Sequence, residues 1–315
     1  MAHGTHDFDE DPRNEHILVW VNGELLPRDR AVVSVFDGGF VLGDGVWEGL
    51  RIAHGHPAFL DQHLDRLEEG AKAIWLDIGR TREELAEAIY ETLRANGMTD
   101  GVHVRLMVTR GVKATPYQDP RVTIGPPTVV IIAEHKQALP STVENGITLF
   151  TTHVRRAAPD TLDPKLNAHS KLNDITACVQ AFTAGADEAL MLDPHGFVAT
   201  CNSTHFFIVK GTDEQPEVWT SDGRYCLGGI TRGNVLRICR DGGITARETT
   251  FSLTDVYSAR EAFVTGTFAG VAPVRSVDGR TIGTGRRGPV VERLQRMYVD
   301  LVESDVRARA AGTPS

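Results

Sequence analysis

The sequence is poor in lysine: only six of its 33 basic residues are lysine, and the rest are arginine. Acidic residues number 42, so the formal net charge is −9. A general nucleic-acid surface needs clustered basic residues to displace counterions, so this balance argues against a nucleic-acid partner. No apolar run approaches the length of a membrane span. We therefore expect no membrane partner either.

Cysteine is also scarce, and its four positions show no CxxC spacing: Cys178, Cys201, Cys226 and Cys239. This favours core thiols in a reducing compartment over a disulfide or a metal site. The N-terminal stretch is polar and acidic and has no apolar segment of the secretory type. We expect a cytoplasmic protein with flexible termini at residues 1–15 and 305–315 and with no metal.

The order of sequence patterns predicts two domains. Residues 16–134 contain strand pairs around Asn22-Gly23 and around the turn 54–57, then two helices and two further strands. The second helix has Thr81 as N-cap and a glutamate three residues on. Residues 135–145 are polar and read as a linker. Residues 146–304 mix strands with helices and end in an amphipathic helix, so a larger second domain is expected.

The sequence lacks the phosphate-binding pattern GxxxxGK[ST], so a phosphate site would have to be assembled from separate parts. "LGGITRGN" places two glycines before a predicted helix whose first turn offers the amides of Ile230 and Thr231. "TGTFAG" is a second small-residue loop, and "HLDRL" places Arg66 on a helix. Each feature alone is weak, because a glycine before a helix is usually only a turn.

Taken in order, five segments resemble the class IV aminotransferases of fold type IV: "FDGGFVLGDGVWEGLRI", "HLDRL", "AGADEALMLDPHGFVATCNSTHFFIV", "CLGGITRGNV" and "EAFVTGTFAGVAPV". This family uses pyridoxal 5′-phosphate (PLP) and includes branched-chain and D-amino-acid aminotransferases and aminodeoxychorismate lyase. The resemblance covers residues 16–303. It implies an α+β fold with a small N-terminal α/β domain and a larger C-terminal pseudo-barrel domain, and it implies a homodimer.

The resemblance also implies roles for individual residues. Contacts to the PLP phosphate would come from Arg66, Ile230, Thr231 and Thr267. Thr200, Asn202 and Ser203 would lie around the rest of the cofactor. The substrate would meet Phe40, Arg105, Phe268 and Ala269, although an edge-strand surface arginine is an alternative interpretation of Arg105.

The lysine that holds PLP is the first departure from the family. Counting back from Leu172, which matches a family leucine, places the family's lysine at Asn167. Lys171 takes the place of a family tyrosine that lies beside the cofactor, so we expect Lys171 to carry PLP. Lys165 reaches the family position only with a two-residue insertion, and it remains the alternative.

Thr200 is the second departure, because the family has a glutamate there that hydrogen-bonds the pyridine nitrogen. A neutral hydroxyl cannot hold a pyridinium by charge pairing. We therefore expect a largely unprotonated ring nitrogen and a weaker electron sink, unless a neighbour replaces the glutamate.

These patterns predict a PLP-dependent aminotransferase that moves an amino group between a small amino acid or amine and a 2-oxo acid. Its lysine would form an imine with the cofactor. A PLP lyase of the aminodeoxychorismate-lyase type is one alternative, which the missing glutamate slightly favours. A PLP-binding protein without turnover is the other.

Overall fold

The computed structural model describes residues 4–312, which divide into two compact units. The N-terminal unit comprises Asp9–Gln137, Leu166–Lys171 and the described part of Val302–Ser315. The C-terminal unit comprises the described part of Met1–Phe8, Ala138–Lys165 and Leu172–Leu301. The main division lies close to the predicted linker, but the lysine segment 166–171 belongs to the N-terminal unit. No helix within residues 4–312 is long and apolar enough to cross a membrane.

The N-terminal unit is built on one antiparallel sheet of six strands in the order β2-β1-β6-β5-β3-β4. Its strands are β1 Leu18–Val21, β2 Glu24–Pro27, β3 Gly45–Ala53, β4 His56–Pro57, β5 Val102–Thr109 and β6 Thr128–His135. Its helices are α1 Gly38–Leu42, α2 Leu60–Ala73 and α3 Arg82–Ala95, and short 3₁₀ helices cover Pro12–His16, Arg28–Arg30 and Pro120–Val122.

Local sequence chemistry explains the first elements of this unit. The β1–β2 hairpin turns at Asn22-Gly23, as predicted, and Asn22 adopts a left-handed φ of 52°. Helix α3 begins with the predicted capping box, in which Thr81 and Glu84 satisfy each other's backbone amides. The apolar side of α3 is buried together with residues of α2 and of the sheet in one core.

The strand predicted after the turn at residues 54–57 does not form, and the two-residue strand β4 lies within that predicted turn. Strand β4 ends at Pro57, and Phe59 then adopts a left-handed φ of 54° as the N-cap of α2. This conformation is uncommon for a bulky residue and breaks the extended chain. The apolar run "AFL" therefore enters a helix instead of continuing a strand.

The C-terminal unit is built on a nine-stranded sheet in the order β12-β11-β10-β13-β14-β7-β8-β9, with β15 paired to β14. Its strands are β7 Ile147–Thr151, β8 Glu188–Leu192, β9 Val198–Cys201, β10 His205–Gly211, β11 Pro216–Thr220, β12 Thr245–Glu248, β13 Glu261–Gly266, β14 Gly270–Val277 and β15 Arg280–Thr281. Its helices are α4 Pro140–Asn145, α5 Pro159–Leu162, α6 Leu172–Thr183, α7 Ile230–Asp241, α8 Leu253–Tyr257 and the first part of α9 Pro289–Ala310.

This sheet mixes both pairing directions. Strand β7 pairs in parallel with β14 and with β8, and β11 pairs in parallel with β12, while the other neighbours are antiparallel. One face carries a large core cluster that includes Phe206, Ile208, Val264 and Ala272. Sheets with segregated helices are typical of α+β proteins. The predicted linker contains a short helix, α4.

Both chain ends are more structured than the sequence suggested, within the described residues. The side chain of Thr5 is 1% exposed. Helix α9 continues to Ala310, and its end belongs to the N-terminal unit, in which Asp305 accepts a hydrogen bond from the Phe59 amide at 2.7 Å and Arg309 pairs with Asp61 at 2.8 Å. The expected flexibility of residues 1–3 and 313–315 lies outside the described residues.

Candidate cofactor and active site

The lysine segment is fixed by its backbone to the start of β3. The Trp47 amide donates to the Asn167 carbonyl at 3.0 Å, and the Asn167 side-chain Nδ2 donates to the Trp47 carbonyl at 2.6 Å. The Trp47 indole donates to the Ala168 carbonyl at 3.2 Å. Gly43, with a left-handed φ of 68°, allows close approach of Ser170, because a Cβ there would lie 2.7 Å from the serine hydroxyl. The segment thus has a defined position.

The side chain of Lys171 points back along this segment. Its Nζ lies 3.4 Å from Oδ1 of Asn167 and 5.6 Å from the centroid of a Trp47 ring. The amine therefore lies beside the side chain of Asn167, the position where the family's lysine was counted. Lys165 is exposed, and its backbone amide bonds Asp163. This geometry favours Lys171 over Lys165, and the assignment stays a prediction.

Arg105 and Lys171 both lie near the indole ring of Trp47. Its guanidinium carbon lies 3.9 Å from the centroid of a Trp47 ring, a cation–π contact. Strand β5 lies inside the sheet between β6 and β3, so Arg105 is not on an edge strand, although the residue is exposed as the alternative interpretation expected. Burial of the guanidinium lowers the pKa of Arg105, although part of the side chain is exposed. Among residues 4–312 no hydrogen bond or ion pair to it is found, so its N–H groups can receive an anion.

Arg66 belongs to a buried cluster that the sequence analysis missed. Its Nε and Nη2 donate to the two carboxylate oxygens of Glu48 at 2.8 and 2.6 Å. His63 lies one turn before Arg66 on α2, and its Nδ1 is 2.6 Å from the same carboxylate. Glu48 is 0% exposed on β3. The two bonds fix the plane of the Arg66 guanidinium, which is the group predicted to meet the phosphate.

Burial and hydrogen bonding act in opposite directions in this cluster. Burial alone would raise the pKa of Glu48, but hydrogen bonds from His63 and Arg66 outweigh it and place the pKa below its ordinary value. Burial lowers the pKa of His63, and the neighbouring Glu48 only partly offsets this. Near neutral pH the cluster therefore contains the Glu48 carboxylate, the Arg66 guanidinium cation and the neutral imidazole of His63.

In the C-terminal unit, the predicted residues after β9 divide by exposure. Thr200 is buried, and its hydroxyl donates to the Thr204 carbonyl at 2.8 Å. Asn202 exchanges hydrogen bonds with the Ala189 backbone, through Oδ1 at 2.8 Å and through its own amide at 3.1 Å. Ser203 is exposed. Asn202 thus holds β8 against the end of β9.

The start of α7 has a geometry that favours an anion. Ile230 and Thr231 are buried in its first turn, and the N-cap Gly229 provides no side-chain cap. The first amides of a helix have no partner within the helix, and the dipole favours an anion there. The Thr231 hydroxyl lies 3.3 Å from the Tyr298 hydroxyl.

Thr265 is a second residue that the sequence analysis missed. It is 0% exposed, and its hydroxyl has no hydrogen-bond partner among residues 4–312. It lies opposite His205 across the β10–β13 pair, so both side chains share one face. The His205 ring bonds the Leu227 carbonyl at 2.8 Å and lies against Gly229, at the start of α7. Thr265 lies on β13, two positions before the predicted Thr267, and no motif of its own marks it.

The remaining predicted residues lie in each unit as follows. Thr267 is half-buried and Phe268 and Ala269 are buried in the turn between β13 and β14, where the Phe268 ring stacks on His6 at a centroid distance of 5.7 Å. Phe40 on α1 is 70% exposed. The N-terminal unit holds Phe40, Arg66, Arg105 and Lys171, and the C-terminal unit holds the rest.

Within the described ranges no group of His, Cys, Asp or Glu could hold a metal ion.

The sequence profile of the family described as amino-transferase class IV matches residues 45–277. The chain belongs to the class IV aminotransferases. The predicted family and the predicted α+β fold are thereby confirmed. A solved branched-chain amino acid aminotransferase from T.th., crystallised with pyridoxamine 5′-phosphate, superposes with a TM-score of 0.84 at 33% identity and covers 91% of this chain and 94% of its own.

Curated relatives from this family are similar over most of the chain. The branched-chain-amino-acid aminotransferase of Pseudomonas aeruginosa is 35% identical over 93% of this chain and 95% of its own length. Branched-chain-amino-acid aminotransferase-like protein 2 of Arabidopsis thaliana is 42% identical over 93% of this chain. The chain spans only about half the length of that plant relative, 51%, and of a second one, 52%.

Proposed function

We propose that the protein is a PLP-dependent aminotransferase whose cofactor is carried by Lys171. The observation that carries the proposal is the position of the Lys171 amine, held 3.4 Å from Asn167 Oδ1 on a segment fixed to β3. A lysine amine can bind an aldehyde covalently and can later take and return a proton. The amine therefore supplies the function of the lysine missing at position 167.

The described residues fit a phosphorylated cofactor. The buried hydroxyl of Thr265, which has no partner within the described part of the chain, and the open first turn of α7 at Thr231 provide donors that favour an anion. Thr267 adds a hydroxyl in the adjoining turn. Arg66, oriented by Glu48, would supply a charge-assisted contact. Neutral and positively charged donors of this kind suit a phosphate.

When bound, PLP supplies an electron-withdrawing ring that permits transfer of the substrate amino group. The chain's own contribution is to place and move protons. Lys171 Nζ would take the proton from the substrate α-carbon and return it, with Asn167 Oδ1 and the Trp47 ring keeping the amine in place. Arg105 would bind a substrate carboxylate, because its guanidinium has no acceptor among the described residues.

The substrates that we propose are an aliphatic amino acid, such as leucine, isoleucine or valine, and a 2-oxo acid acceptor. The names of the curated relatives, which are 35% to 42% identical, support this class. The turn at Phe268 and Ala269 and the exposed Phe40 would supply apolar contacts and backbone amides.

The test is amine transfer by the purified, PLP-loaded protein. Amino-group transfer from leucine to 2-oxoglutarate should be measured beside pyruvate release from an aminodeoxychorismate-type substrate. We expect transfer without pyruvate release. Pyruvate release alone would make the protein a lyase, and a PLP spectrum that no L-amino acid, D-amino acid or amine perturbs would make it a binding protein.

We also propose a homodimer, in which α6 contacts a second copy of the chain. Four apolar residues recur every three or four positions on this helix and are 75%, 54%, 52% and 70% exposed: Leu172, Ile175, Val179 and Phe182. An exposed apolar stripe of this kind marks an interaction surface. The family resemblance implies a homodimer.

Sedimentation velocity tests the dimer. The wild type should sediment as a dimer, and Phe182→Asp should shift it to a monomer. Val299 on α9 is also apolar and 53% exposed, so Val299→Asp is a matched control that should leave the dimer intact. A monomeric wild type, or a dimeric Phe182→Asp variant, would contradict the proposal.

The compartment that we propose is the cytoplasm. All four cysteines are free thiols, and three of them are buried: Cys201, Cys226 and Cys239. Unpaired buried thiols suit a reducing compartment. Fractionation of the native host, followed by immunodetection, tests this location.

A further inference from the structure

The hydroxyl of Thr200 has a fixed hydrogen-bond direction. Its Oγ1 lies 2.8 Å from the carbonyl oxygen of Thr204, and both residues are buried, at 4% and 3% exposure. A carbonyl oxygen carries no hydrogen, so Thr200 must be the donor and its single hydroxyl proton is used there. Only the lone pairs of Thr200 Oγ1 are left, so this hydroxyl can accept a further hydrogen bond but cannot donate one.

The Thr204 carbonyl is part of a tight turn that would resist rearrangement. It also accepts a hydrogen bond from the Cys201 amide at 2.9 Å. For Thr200 to donate elsewhere, its hydroxyl would have to rotate away and leave a buried hydrogen bond unmade. Such an exchange breaks one bond to form another and therefore brings little gain.

A negative charge lies on the other side of Thr204. The Thr204 hydroxyl donates to Oε2 of Glu188 at 2.7 Å, and Oε1 of Glu188 accepts hydrogen bonds from the amide, at 3.2 Å, and the hydroxyl of Thr5. Glu188 is 3% exposed, and no lysine, arginine or histidine in the described part of the chain forms an ion pair with it. Its charge is thus solvated by neutral donors and is not cancelled by a cation.

The field of this carboxylate extends along β9. The pKa of Cys201, the neighbour of Thr200, lies well above its ordinary value, chiefly because the thiol is buried and additionally because of the charge of Glu188. A positive charge placed near Thr200 would be favoured by the same field.

We propose that Thr200 accepts a hydrogen bond from a protonated pyridine nitrogen of PLP, and that Glu188, acting through Thr204, supplies the balancing negative charge. This inference rests on the proposed function. It reverses the expectation drawn from the sequence, in which a threonine at this position implied an unprotonated ring. The reversal follows because the Thr204 carbonyl already takes the only hydroxyl proton of Thr200. The hydroxyl can then only accept a hydrogen bond from the cofactor.

The test is the nitrogen-15 chemical shift of labelled PLP in the reconstituted protein near neutral pH, with cofactor content measured separately by absorbance. The wild type and Thr200→Ser should show a protonated nitrogen. Thr200→Val keeps the side-chain shape but removes the acceptor, and should lower the ratio of protonated to unprotonated nitrogen about tenfold, the effect of one pKa unit. Glu188→Gln should lower this ratio in the same direction.

The outcomes separate the two levels of the proposal. A wild type that binds no PLP overturns the proposed function and this inference together. Bound PLP with an unprotonated nitrogen overturns the inference alone, as does a Thr200→Val variant with the wild-type shift. A folded Glu188→Gln variant with the wild-type shift overturns the role of Glu188. If that variant does not fold, as judged by circular dichroism, the comparison of Thr200→Val with Thr200→Ser decides the inference.

Discussion

Replacing Glu48 with glutamine should weaken the N-terminal unit by disrupting the Arg66 cluster. The carboxylate accepts three hydrogen bonds, from Nε and Nη2 of Arg66 and from Nδ1 of His63. Glutamine has one carbonyl oxygen, so in either orientation its amide group faces at least one N–H that formerly had an acceptor. At least one charge-assisted bond is lost, together with the ion pair.

The magnitude follows from burial. Glu48 is 0% exposed and the Arg66 side chain is 13% exposed, so water cannot fully replace the lost partner. A hydrogen bond to a charged group contributes about 1.5–3 kcal/mol, so we expect a loss of about 2 kcal/mol in the free energy of unfolding. For a unit of this size that loss lowers Tm by roughly 4–8 °C.

The assay is urea and thermal unfolding followed by tryptophan fluorescence and circular dichroism. Glu69→Gln is the matched control, because Glu69 lies on the same helix as Arg66 and is exposed. We also expect Glu48→Gln to lose PLP faster on dialysis, since Arg66 is no longer held in one plane. If Glu48→Gln unfolds at the same urea concentration as Glu69→Gln, the reasoning about this cluster is refuted.

Four further outcomes are expected. Borohydride reduction and peptide mapping should place the pyridoxyl group on Lys171, and Lys171→Ala should abolish the label whereas Lys165→Ala should not. Arg66→Ala should lose PLP on dialysis while keeping its circular dichroism spectrum. Thr265→Val should weaken PLP binding several-fold in a fluorescence titration, a loss of about 1 kcal/mol for one hydrogen bond, and Thr265→Ser should not. Because the folded-state pKa of His63 lies below its ordinary 6.5, the unfolded chain takes up the proton first, so the free energy of unfolding should fall as pH drops below about 6.5. Urea unfolding of His63→Gln should show a flatter dependence on pH.

Features set by neighbouring residues could be predicted from the sequence. The Asn22-Gly23 hairpin and the Thr81 capping box each depend on a few adjacent side chains, and the structure contains both. Strand β4 was misjudged because the pattern around Phe59 is apolar and compatible with a strand. Its left-handed backbone, imposed by the entry into α2, leaves no trace in that pattern.

The candidate site depended on contacts between distant parts of the chain. Arg66 was predicted, but Glu48, which orients it, stands on a different element and carries no motif of its own. For Thr200 the sequence leaves the direction of its hydrogen bond open. Its residue type gives a hydroxyl that can donate or accept, and only the position of the Thr204 carbonyl decides between the two.

The parallel pairing of β7 with β14 and β8 affects the order in which the chain can fold during synthesis. Ile147 pairs with Val274, so a ribosome must translate well over a hundred further residues before β7 gains this partner. The N-terminal unit waits longer still, because it includes the end of α9, which bonds the start of α2 through Asp305 and Arg309. Contacts so distant in sequence slow folding and leave strands exposed during synthesis. Chains released early should therefore be prone to aggregation and dependent on chaperones.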